Sequence, residues 1–63
     1  MPVYRCYLLN ELGTPVDAEV VDSPTDNHAE QHAIALLHAR PRHRAIEVWE
    51  GHRKIAYHVR DAH

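Results

Sequence analysis

Histidines and arginines are the residues in this chain best placed to do chemistry. His28 and His32 stand four apart in His-Ala-Glu-Gln-His. On a helix that spacing puts both imidazoles on one side, where they could share a zinc ion. A zincin motif needs glutamate directly after the first histidine, and its inverted form directly before the second; Glu30 is in neither place. Two ligands also leave the site incomplete, so His38, His63 or a second subunit would have to finish it. The other cluster is Arg40-Pro41-Arg42-His43-Arg44, three guanidinium forks in five residues with Lys54 further on. Such forks suit phosphate or carboxylate. Tyr7, Trp49 and Tyr57 could add stacking surfaces for single-stranded nucleic acid if they share an exposed face. Nucleophilic catalysis has little to work with. Ser23 is the only serine and reads as a helix cap, and Cys6 sits in an apolar strand with nothing nearby to lower its pKa.

These groups are held by a chain of 63 residues, one domain's worth. A domain of that size buries only roughly 60% of the surface of its extended chain, so dimerisation would be a natural source of further burial. One cysteine excludes an internal disulfide, and no charged-then-apolar leader opens the sequence, so a cytoplasmic protein is expected. No apolar run approaches a membrane span. The formal charge of −2 is unevenly spread. Residues 1–30 hold Arg5 against six carboxylates, a net −5, while residues 31–63 hold six cations against three, a net +3. The acidic balance argues against a dedicated nucleic-acid domain, whereas the polarity favours self-association or a local anion site.

The positioning element is the segment Ser23 to Arg40. Ser23 is the expected N-cap, with Pro24 at the first helical position and Asp26 near the positive helix end. Ala29, Ala33, Leu36 and Leu37 form the buried stripe, Ile34 flanks it, and His28, Gln31, Ala35 and His38 face water. Pro41 stops the helix by biasing Arg40 away from helical geometry. The spacing predicts a helix over about 24–39 and strands over about 3–9, 16–21, 45–50 and 54–60.

In the first strand Tyr4, Cys6 and Leu8 take one face and Val3, Arg5, Tyr7 and Leu9 the wetter one. In the second, Val16, Ala18 and Val20 alternate with Asp17 and Glu19. Ile46 and Val48 of the third face the core, with Glu47 and Trp49 away from it. In the last, Ile55, Tyr57 and Val59 share one face, and Lys54, Ala56 and His58 the other. Gly13 and Gly51 mark the hairpin turns. Residues 61–63 are expected to fray. The result is an α+β fold of ββαββ topology: a four-stranded antiparallel sheet of order 2-1-3-4, its first face covered by the helix.

The opening MPVYRCYLLNELG, the acidic second strand, the capped Ala-rich helix and the ending IEVWEGHRKIA resemble a group of small bacterial proteins of unknown function, of the alphaproteobacterial type, built as hairpin, helix, hairpin. The most specific piece is the W-x-G-x-R hairpin within Val48 to Ile55. The resemblance covers nearly the whole chain. It implies the same fold and a cytoplasmic location, and it carries no activity.

The function expected from these features is a non-enzymatic protein-interaction module that self-associates as a homodimer and uses no cofactor. Its site is the sheet face away from the helix, with Arg5, Tyr7, Trp49 and His58 as the binding patch, and the homodimer is expected through this face or through an edge strand. An alternative is a nucleic-acid or anion-binding module using Arg40, Arg42, Arg44 and Lys54 with that same face. A third is metal binding through His28 and His32.

Overall fold

The computed structural model describes residues 2–60. Strands β1 (Val3–Leu9) and β2 (Pro15–Asp22) form a hairpin, helix α1 (Asp26–Ala39) crosses over, and β3 (Ala45–Glu50) and β4 (Arg53–Val59) form a second hairpin. The sheet is antiparallel throughout and ordered β2-β1-β3-β4, as the pattern predicts. The helix lies on one face of this sheet, and among the described residues no helix or strand covers the other, the bare face. Residues 61–63, expected to fray and including the possible ligand His63, lie outside the described residues.

The core forms where the helix meets β1 and β3. Tyr4, Cys6, Leu8, Val21, Ile46 and Val48 rise from the sheet to meet Ala29, Ala33 and Leu37, with Leu36, Ile55 and Ala56 packed around them. Two alanines in the helical stripe bring the helix backbone close to the sheet, and Leu37 is the one large helical side chain fully covered. Cys6 is wholly buried, and burial pushes its thiol pKa up, with Glu19 adding to the effect. It is a core residue.

Three local features depart from the sequence expectation or go beyond it. The cap is Thr25, not Ser23: Thr25 has an extended backbone and its hydroxyl accepts from the His28 N–H at 3.1 Å. Ser23 directly follows β2 and is tied to the start of the chain: its N–H donates to the Pro2 carbonyl at 3.2 Å and its side chain is fully buried. Pro24 therefore precedes the cap instead of opening the helix. At the far end Arg40 has left helical geometry before Pro41, and its N–H bonds the Leu37 carbonyl.

The second departure is a bulge in β4. Val48 pairs with Ala56, but Trp49 pairs with Lys54, so Ile55 is an extra residue. A bulge breaks strict alternation. Ile55 and Ala56 both reach the core, and beyond them the faces are reversed from the expected set. Tyr57 and Val59 point to the bare face, and His58, the Cα partner of the core residue Ile46, points to the helix.

The third concerns β2, for which alternation assigned no face: its side toward the helix carries Asp17, Glu19 and Val21, the partners of Leu8, Cys6 and Tyr4. Only Val21 is buried there. At the turns Gly13 and Gly51 both take positive φ (80° and 60°). Gly51 is the first residue of the two-residue loop closing β3 and β4, a position that glycine fills without strain.

Candidate functional site

Antiparallel neighbours share a face, so the pairing register gives the composition of the bare side. One row across it runs Val20, Arg5, Trp49, Lys54, and the next runs Ala18, Tyr7, Glu47, Tyr57. A third contains Leu9 and Ala45, both buried by their neighbours, and Val59, with Pro15 and Val16 at a bulge on β2, and Val3 and Asp22 close the opposite corner. Six large apolar side chains of the described residues are exposed, and all but the turn residue Leu12 lie on this face. Val3, Val16, Val20, Tyr57 and Val59 range from 48% to 66% exposed.

The polar groups within the face are tied to one another. Glu47 is half-buried at its centre, accepting from the Trp49 indole N–H at 3.1 Å and standing 3.3 Å from the Lys54 ammonium. The same ammonium lies 4.9 Å from the centre of the Tyr57 ring, a cation–π contact. Arg5 is exposed, and among the described residues it has no ion-pair partner; nor has Asp22.

Of the expected patch, Arg5, Tyr7 and Trp49 are therefore together on the bare face. His58 is not. The β4 bulge turns it to the helix side, where its Nε2 stands 2.7 Å from the Glu30 carboxylate. Tyr57, which strict alternation separates from Lys54, takes its place. Val16, Val20 and Val59 also belong to the face. The period-2 pattern of β2 contained the signal for its two valines, but not which side the helix would cover.

The arginine connector is divided. Arg40 donates to Asp17 at 2.8 Å and to Glu19 at 2.9 Å, joining the helix C-terminus to β2. Arg42 is exposed, and Arg44 is half-buried with its backbone N–H bonded to Leu9. Lys54 lies at the other end of the β3–β4 hairpin, roughly 17 Å of strand away from Arg44. The four cations do not make one cradle. Arg60, which the sequence did not single out, fills the loop instead: its guanidinium donates to the carbonyls of Leu37, Arg40 and His43 and so satisfies the end of the helix.

A second polar cluster sits at the helix N-terminus. The Tyr4 hydroxyl donates to Asp26 at 2.7 Å, and Arg53 bonds both Asp26 and Glu50. The Arg53 bonds, then the Tyr4 bond, hold the Asp26 carboxyl below its usual range. That carboxylate acceptor in turn pushes the Tyr4 phenol up to about 12. Nearby, Ser23 Oγ and His28 Nδ1 are 3.0 Å apart, a serine–histidine pair in distance. The hydroxyl is fully buried and so cannot reach a substrate. The His28 ring is engaged there, and no group of three or more His, Cys, Asp or Glu residues able to hold a metal occurs among the described residues. No helix among them is long and apolar enough to cross a membrane. Comparisons with protein-family models, with curated proteins and with solved structures gave no match.

Proposed function

We propose that this chain is a small, non-enzymatic, cytoplasmic protein-binding module of the bacterial hairpin–helix–hairpin kind, and that its bare sheet face, centred on Arg5, Tyr7 and Trp49, is the surface that binds. The observation that carries this reading is the reversed polarity of β2. A strand half-covered by one helix ordinarily turns its apolar residues to the helix and its polar ones to water. Here Asp17 and Glu19 are on the helix side, and Val16, Ala18 and Val20 are on the bare side. Arg40 makes the acids tolerable where they are. Among the described residues nothing covers Val16 and Val20, which gain only if something does. A lone buried cysteine with no disulfide partner suits a reducing compartment.

A second reading is favoured by one observation: Tyr7, Trp49 and Tyr57 share the bare face with Arg5 and Lys54, the ingredients of a stacking platform for single-stranded nucleic acid. Glu47 in the middle of that face opposes it, since a carboxylate repels phosphate. Arg40 is already neutralised, so the connector adds little.

The test is affinity capture from a native host extract with three baits: the wild-type chain, Val20→Asp on the bare face, and His32→Asp on the exposed helix. Proteins retained by the first and third baits but lost by the second, and still held in 1 M salt, are the expected result. Equal retention by all three baits contradicts the assignment. Nucleic acid that is captured at low salt and released steeply as salt rises supports the second reading.

A further inference from the structure

We infer that the bare face is covered by a second copy of this chain, packed sheet against sheet about a two-fold axis; this rests on the reading above and names the occupant of that surface. Three observations select a second copy.

The first is charge. The face carries two cations, Arg5 and Lys54, and two anions, Glu47 and Asp22, so it is neutral and bears both signs. A two-fold axis presents a surface to itself, which strongly charged faces cannot tolerate and this one can. A polyanion would gain from Arg5 and Lys54 and lose at Glu47 and Asp22.

The second is area. Four strands about 4.8 Å apart and some 22 Å long give a face of roughly 400 Å² in projection. Two such faces bury at least about 800 Å², the size of a small, concentration-dependent interface.

The third is the character of the sheet edges, the other route to self-association. Pairing β2 with β2 of a second copy would bring together two strands that each carry Asp17, Glu19 and Asp22, of which only Asp17 and Glu19 are offset by Arg40. The β4 edge is interrupted by the bulge at Ile55 and bears Arg53 and Lys54. Bulges and charges are the usual protection of an edge against pairing. Both edges resist self-pairing, and the face between them does not. The product is a four-layer particle, helix, sheet, sheet and helix, with Val20, Tyr57 and Val59 of each copy covered between the two sheets.

The experiment is sedimentation of the purified full chain from 5 μM to 1 mM, in 0.15 M and 1 M NaCl, with isotope-filtered NOEs on a mixed labelled and unlabelled sample. The expected result is a dimer whose Kd changes less than about threefold with salt, with intermolecular NOEs from Val20, Tyr57 and Val59. Val20→Asp and Tyr57→Asp, each checked for native amide dispersion, should weaken it at least tenfold, and His32→Asp should not. A chain that is monomeric at 1 mM overturns the inference, as does a dimer indifferent to both face variants or one whose NOEs connect only the β2 or β4 edges. A monomer whose bait still loses proteins on Val20→Asp leaves the protein-binding reading intact with another occupant. A monomer that instead binds an oligouridine probe in a salt-sensitive way removes both.

Discussion

Leu37→Ala tests whether the helix is fixed to the sheet as described. Leu37 is 3% exposed and is the one large side chain of α1 that is fully covered; its companions in the stripe, Ala29 and Ala33, cannot grow to fill a gap. The substitution removes three buried carbons, about 2.4 kcal/mol at ~0.8 kcal/mol each. A cavity term comes on top, because Ile46 and Leu8 beneath are held by the sheet and relax little. The total is ~3–5 kcal/mol, in the upper part of the range for such changes. The neighbouring Leu36 is only partly covered, so Leu36→Ala should cost about 1–2 kcal/mol. A chain of 63 residues has a total stability of about 3–9 kcal/mol by size, so the first variant should be largely unfolded at 37 °C and the second should not. Urea titration followed by circular dichroism, with all chains at one concentration because dimerisation would add to stability, measures both. If Leu36→Ala proves the more damaging, the helix is rotated from the position argued here, and the assignment of covered and bare faces falls with it.

The other expectations concern the polar links. Asp26 has a lowered pKa in the folded chain, so it contributes stability above the ordinary carboxyl pKa of about 3.9 that is lost as pH falls through its folded value. Wild type should therefore exceed Asp26→Asn in melting temperature at pH 7, with the gap closing towards pH 2; a gap independent of pH would contradict this. Tyr4 is raised to about 12, so its contribution is complete below pH 10 and lost between pH 10 and about 12. Tyr4→Phe should flatten that alkaline limb, which absorbance of the tyrosinate near 295 nm can follow in parallel. Arg40→Ala removes two partly exposed ion pairs and should cost no more than about 1 kcal/mol for each, the loss shrinking in 1 M salt. A loss that persists undiminished in high salt would place the role of Arg40 in packing of its stem. Zinc should leave the melting temperature and the His28 and His32 ring signals unchanged, and a shift of several degrees would revive a shared metal site.

The element order and the strand order 2-1-3-4 were legible because they rest on averages over many residues. The 3.6-residue stripe of Ala29, Ala33 and Leu37, the alternation in β1 and the two glycine turns all point the same way. Single-residue features were less so. Ser23 and Thr25 are both good caps with an acid downstream, and the choice depended on how far the β1 ladder runs, which brings Ser23 to Pro2. The β4 bulge is set by pairing with β3, a non-local matter, and it alone moved His58 off the bare face and Tyr57 onto it. The bonds of Arg40 to Asp17 and Glu19 join residues 23 and 21 positions apart, so composition marked this arginine as available when the fold had already engaged it.

The bare face acquires its meaning from this comparison. Of the candidates visible in the sequence, Tyr7 and Trp49 are half-buried, Trp49 held by Glu47, while Arg5 and Tyr57 are exposed. Most of the exposed apolar area is aliphatic, supplied by Val3, Val16, Val20 and Val59 along the two edges. A nucleic-acid platform concentrates its exposed area in rings and cations, because stacking and phosphate contacts provide the affinity. A protein-binding face instead combines apolar area with a few aromatic anchors. Trp49 held by Glu47, Lys54 lying over Tyr57, and valines at the perimeter match the second description. The reversed β2 strand then follows as a consequence of having two sides to satisfy, with Arg40 holding the acids on one side and a partner covering the valines on the other.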